Sequence, residues 1–375
     1  MKTVKSILAI CIFLALAQAD FAKLGTTGAQ FLKIGVGRGA AMGEVFAAVS
    51  DDASAAYWNP AGLAWLKNRE LQLHHNRWIG DLNHDYLAIA LPFSGFGTVG
   101  ISLTTLTMGK FEYLTVDNPA TSQREDTASN VTFSAMDLAF GASYARMFTD
   151  KLSAGVTMKV VQERVWDMSA SAIAFDFGTF YNTGFRSLRL GAVLTNFGTE
   201  MSFGGRQLDW VAKIPYDSTG EINREKIPVT YKTTPFPLPM IFRFGFAYNV
   251  IDQPTSRLTV AGDLIHPSDN FEQIGLGLEY GFNNFFYVRT GYKFYTSMKY
   301  TKAMMGGTPV IDTVENEITD YDIDNVENSL WLLNNLTGGV GFSLKTENLR
   351  FKIDYAYMNK GVLKHTHKVG VGIAF

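Results

Sequence analysis

From Arg69 to its last residue the chain is a succession of segments in which every second residue is apolar. Leu87, Ile89 and Leu91 alternate with Tyr86, Ala88 and Ala90, and Val99, Ile101 and Leu103 with Gly100, Ser102 and Thr104. The same arrangement returns at Met136–Tyr144, Leu152–Val160, Ile173–Tyr181, Phe242–Tyr248, Ile274–Tyr280, Leu349–Tyr357 and Val369–Phe375. A period of two puts each set on one face of a β-strand, and a helical period fits none of these runs. Charges gather on the second face with the small residues: Asp137, Lys159, Asp176, Arg243, Asp263, Glu279, Arg289, Lys293, Lys352 and Asp354.

A soluble sandwich and a membrane barrel share this alternation, so the connections decide. Tight turns fall at Phe93–Phe96, Phe148–Lys151, Asn182–Arg186, Gly281–Asn284 and Lys345–Asn348. Between them come long excursions at 112–132, 198–236 and 297–335, and smaller ones near 78–84, 164–169, 266–270 and 359–367. Short turns at one end and long loops at the other define an all-β, transmembrane, up-and-down antiparallel β-barrel of about fourteen strands, apolar outside and polar within. The last strand ends on Phe375, and a terminal aromatic on such a strand resembles the assembly signal of outer-membrane proteins.

Residues 1–19 read as a secretory signal: Lys2 and Lys5, an apolar run from Ile7 to Ala17, then a small-x-small site with cleavage between Ala19 and Asp20. The only cysteine, Cys11, lies in that run, and Ile10 before it is too large for lipoprotein processing, so the mature chain has no disulfide. No later stretch is apolar enough for a membrane-spanning helix. The expected organisation is a signal peptide at 1–19, a distinct N-terminal segment at 20–66, and the barrel at 67–375. Export and barrel together predict the outer membrane of a Gram-negative-type envelope, with outer-membrane lipid as a partner.

The stretch 20–66 departs from strand alternation. Gly35, Gly37, Gly39 and Gly43 lie close together, without the Gly-Lys-Ser/Thr element or βαβ setting of a phosphate loop. Glycine there permits close packing and positive φ. Ala40–Ala48 reads as a short apolar helix or strand, and Asn59-Pro60 as a turn. The run 47–64, which contains Asp51, Asp52, Asn59, Pro60, Ala61 and Gly62, resembles a signature of the FadL-like outer-membrane transporters. Phe31–Gly43, Tyr57–Ala64, Trp166–Ser169 and Thr195–Gly198 are similar to the PorV/PorQ branch of that superfamily. The resemblance implies that 20–66 is an N-terminal hatch or plug inside the lumen of a fourteen-strand barrel. It also implies a role either in type IX-like protein secretion, with secreted proteins and secretion-machinery subunits as partners, or in passive transport of long-chain fatty acids or other hydrophobic small molecules.

Candidate chemistry narrows this little. His74, His75, His84, His266, His365 and His367 accompany no nucleophile motif or regular metal-ligand spacing, so neither enzymatic activity nor a metal is expected. Glu125-Asp126 and Asp320–Asp324 lack a calcium-binding loop and read as solvated loop tips. No cofactor is expected, and a net charge of -2 gives no nucleic-acid signal. The lumenal charges, above all Asp137, Asp176, Arg243, Asp263, Glu279 and Arg289, should pair with one another or with the hatch, because unpaired burial is costly. Trp78, Trp166, Trp210 and Trp331 belong either to an interfacial girdle or to loop caps. The loop runs 227–229, 235–239 and 331–333 offer docking candidates, chiefly Trp331, Leu332 and Phe236. Three readings stay open: surface delivery of exported proteins, a hydrophobic channel, and a structural plugged barrel.

Overall fold

The computed structural model describes residues 25–112, 132–213, 226–295, 335–360 and 364–375. The proposed cleavage site at Ala19 and Asp20, the acidic pairs at 125–126 and 320–324, and Trp331 and Leu332 lie outside these residues, as do most of loops 112–132 and 297–335. Fourteen long strands among the described residues form the wall. They are β1 (Glu70–Arg77), β2 (Asn83–Phe93), β3 (Gly97–Thr107), β4 (Ala135–Met147), β5 (Leu152–Val165), β6 (Met168–Asn182) and β7 (Arg189–Gly198). The second half comprises β8 (Ile241–Asp252), β9 (Ser256–Pro267), β10 (Gln273–Phe282), β11 (Phe286–Tyr295), β12 (Leu336–Lys345), β13 (Arg350–Asn359) and β14 (His365–Ala374).

Each strand pairs antiparallel with its sequence neighbour, and β1 pairs with β14 from Glu70↔Ala374 to Arg77↔His367. The ring is a closed fourteen-strand antiparallel barrel with no free edge. The alternation governs the two faces as expected. Phe244, Phe246, Leu276, Leu278, Ile353, Val369 and Val371 are exposed outward, while Asp176, Arg243, Asp263, Glu279 and Arg289 are buried inside. A continuous apolar outer face with a polar lining is the pattern of a barrel surrounded by lipid. No described helix is long and apolar enough to cross a membrane.

One tight turn is absent from the sequence reading: β8 and β9 are joined at 253–255. A bulge between Asn249 and Ile251 breaks the period of two just before it, leaving Val250 and Ile251 both exposed. A second irregularity lies between β6 and β7, where Asn196 takes φ 61° and donates its amide to Asp176 Oδ1 at 2.7 Å. Of the loop at 198–236, Gly204-Gly205 pairs with Ser169 and Met168, and Asp209–Lys213 forms a hairpin with Lys226–Thr230.

Residues 25–66 run down the lumen from the long-loop end to the short-turn end, with only short helical elements: α1 (Gly37–Ala41), α2 (Ala55–Trp58) and 3-10 turns at Gln30–Lys33 and Pro60–Trp65. Asn59 begins the last of these, its side chain accepting the Ala61 amide, with Pro60 at the first helical position. Ala40–Ala48 is thus helical only at its start, because Gly43 (φ 72°) and Glu44 (φ 62°) turn the chain.

Candidate functional site

Wall glycines make the hatch fit. A Cβ on Gly155 would meet Pro60 and Ala61, one on Gly178 the Asn59 amide oxygen, and one on Gly191 the Ala47 carbonyl oxygen. Gly277 and Gly291 take the Met42–Gly43 backbone, and Gly339 takes Ala41. These glycines belong to β5, β6, β7, β10, β11 and β12. At mid-height the barrel therefore touches hatch backbone directly, and the lumen is closed there around much of its circumference.

Polar contacts hold that seat. Asp263 accepts the amides of Phe46 and Ala47 at 2.9 and 3.0 Å, and Asn59 donates to Ala47 O at 2.8 Å and Thr179 O at 3.1 Å. Arg38 pairs with Asp51 (2.8 Å), Asp52 (3.4 Å) and Glu279 (3.4 Å). Glu279 also meets Arg289 at 2.7 Å, and Arg289 reaches Asp354 at 2.5 Å. Burial works to raise the Asp51 pKa, but the field of Arg38 and more distant cations brings it below the ordinary carboxylate value. Asp176 is held by Lys159 at 2.8 Å, and Arg243 lies 5.6 Å from the Trp58 ring centroid. Of the six lumenal residues singled out from sequence, Asp176, Glu279 and Arg289 meet opposite charges, Asp263 meets hatch amides and Arg243 a hatch ring. Asp137 instead stands opposite Glu163 on β4 and β5, two carboxylates side by side.

Above the seat, the lumen at the long-loop end becomes apolar. Ala139, Val161, Ala170, Ala172, Ala174, Met201 and Leu238 form one cluster, flanked by Trp78, Leu106, Phe203 and Phe236. The hatch fills it with Phe31, Leu32 and Ile34, all buried. Phe236, expected at the loop surface, packs inward, because the backbone bridge Met201↔Phe236 folds its segment over Gly28. Trp78 likewise turns to the lumen, between Lys360 and Lys368, and is a loop cap.

A polar latch closes this end. Asp269, in the connection after β9, accepts hydrogen bonds from Thr27 Oγ1 (2.5 Å), Gln30 Nε2 (2.9 Å) and Lys33 Nζ (2.8 Å). Glu163 accepts the Ala29 amide at 2.8 Å, and Gly28 donates its amide to Pro237 O at 3.0 Å. Sequence reasoning missed Asp269, since a lone loop aspartate carries no local signal. Outside the wall, a hollow of about 320 Å³ between β14, β1, β2 and β3 is lined by Leu73, Leu87, Leu103, Val369 and Val371. It reaches His74 and Tyr86, which face the lumen.

Residues 17–160 match the profile of an uncharacterised protein family, UPF0164. No curated protein matches the chain. Among solved structures, the Pseudomonas putida toluene transporter TodX is 12% identical with a TM-score of 0.50, over 95% of this chain and 98% of its own. The Ralstonia pickettii toluene transporter TbuX is 14% identical (TM-score 0.49; 90% and 96% covered). A Pseudomonas aeruginosa FadL homologue is 10% identical (TM-score 0.47; 90% and 97% covered). At such identities the likeness to TodX is one of fold.

Proposed function

We propose that the protein is an outer-membrane channel for passive entry of hydrophobic small molecules, blocked at rest by its own hatch. The observation that carries this reading is the apolar enclosure at the long-loop end of the lumen, filled by Phe31, Leu32 and Ile34 and covered by Phe236. A barrel wall gains nothing from apolar lumen residues unless something apolar is to sit against them. The likeness of fold to a toluene transporter supports it. In this reading residues 1–19 are an export signal, 20–66 the hatch, 67–375 the barrel, and the long loops are extracellular. Because the hatch seals mid-height inside a closed wall, passage requires the hatch to shift. The test is binding of an uncharged hydrophobic dye to the detergent-solubilised protein. Phe31→Ala with Leu32→Ala should strengthen binding by vacating the enclosure. No binding by either protein would sink the reading.

One observation favours a second reading, delivery of exported proteins of the type IX kind through the loops. The hairpin of Asp209–Lys213 and Lys226–Thr230 stands clear of the barrel with Trp210 61% and, just beyond it, Tyr231 63% exposed. Co-purification of secreted proteins that disappears on deletion of residues 209–230 would shift the assignment to this reading.

A further inference from the structure

Three lysines of the wall and its loop end converge near one hatch carboxylate. Burial works to raise the Glu44 pKa, yet the nearby Lys293, Lys360 and Lys368 bring it far below the ordinary value. Lys293 takes Glu44 as its ion-pair partner. Lys360 and Lys368 have no carboxylate partner among the described residues. Their ammonium groups lie 5.4 and 5.5 Å from the Trp78 ring centroid, and Lys368 donates to the Gly35 carbonyl at 2.5 Å. Lys368 is 3% exposed. Among the described residues a ring face, one peptide oxygen and the field of Glu44, which is already paired with Lys293, answer this buried ammonium, and they compensate only part of its lost hydration.

The strand neighbours supply further unanswered groups. Lys368 stands opposite Asn76, and Asn76 opposite His84, on the lumen faces of β14, β1 and β2. Asn76 Oδ1 and Nδ2, His84 Nε2, Thr366 Oγ1 and Tyr86 OH are all buried without a hydrogen-bond partner among the described residues. Two under-compensated cations beside several free donors are the complement of an anion with more than one oxygen.

We infer that Lys360 and Lys368, together with Asn76 and Thr366 around Trp78, form an oxyanion site of the phosphate class, whose place the Gly35 carbonyl takes while the hatch is seated. The site adjoins the apolar enclosure through Trp78, which borders both. It therefore accepts either a free phosphate or the phosphate head of an amphiphile with its chain in the enclosure. Only the second form rests on the channel reading.

The experiment is calorimetric titration of the full-length protein in detergent with inorganic phosphate and, separately, decyl phosphate. Lys360→Met and Lys368→Met should each weaken binding at least tenfold while keeping the thermal midpoint, and Lys360→Arg should restore it. Binding of inorganic phosphate supports a free-anion site, and binding of decyl phosphate alone supports a head-group site. Absence of binding by both ligands, or equal binding by wild type and both Met variants, overturns the inference. Uncharged dye binding is measured in parallel, and its loss speaks against the channel reading alone.

Discussion

Replacing Asp269 with alanine removes the acceptor of Thr27, Gln30 and Lys33, and so unlatches the first hatch segment from the loop end. The Asp269 side chain is 1% exposed and that of Lys33 24%. Hydrogen bonds to a charged acceptor contribute about 1.5–3 kcal/mol each, but the freed Gln30 and Lys33 regain water, leaving roughly 2–3 kcal/mol in all. That corresponds to about 30- to 150-fold more of the unlatched form. The probe is Ala29→Cys, at a fully buried position, with Cys11, the one native cysteine, replaced by serine. Where reclosing outpaces labelling, the maleimide rate follows the open population and should rise by that factor in the Asp269→Ala background. A rate within threefold of the parent would refute the latch, and with it the view that this carboxylate controls access to the apolar enclosure.

Other outcomes follow from the same geometry. Burial works to raise the Asp269 pKa, but hydrogen bonds from Gln30, Lys33 and Thr27 bring it below its ordinary 3.8. Its contribution is then fully present above 3.8 and lost only as pH falls through the lowered value. A spin label at residue 25, beside the latch, should keep its neutral-pH mobility down to about 4. Gly191→Val drives a side chain into the Ala47 backbone and should destabilise the seated hatch by about 1–3 kcal/mol, read as a lower denaturant midpoint in detergent. Arg38→Met takes their arginine from Asp51 and Asp52, while Glu279 keeps Arg289, and should destabilise the fold by about 3 kcal/mol, partly recovered by adding Asp52→Asn. Leu278→Arg on the outer face should cost up to about 2–4 kcal/mol of folding into bilayers, whereas a lumen-facing polar exchange should not impair insertion.

The barrel was legible because outward residues such as Leu276, Leu278 and Tyr280 obey a strict period of two, which lipid on one side and a polar lumen on the other impose. Where a bulge intervenes, as at Asn249, the period fails and the following turn goes unseen. The stretch before β1 stands out in the sequence as a departure from alternation. That Gly191 and Gly277 on distant strands receive hatch backbone is a tertiary fact with no local trace. The lumen charges could be assigned a face but not a partner: Asp263 caps two hatch amides, whereas Glu279 takes arginines from both hatch and wall. Phe236 shows the converse limit, since an apolar loop run reads alike whether it docks outward or folds inward.

The most direct test of the central claim is the flux of an uncharged hydrophobic dye into liposomes carrying the reconstituted barrel, compared with protein-free liposomes and with the Asp269→Ala variant. A hatch-gated channel predicts entry faster than the protein-free rate, and faster still once the latch is cut. Entry at the protein-free rate for both proteins, with each correctly folded, would contradict it.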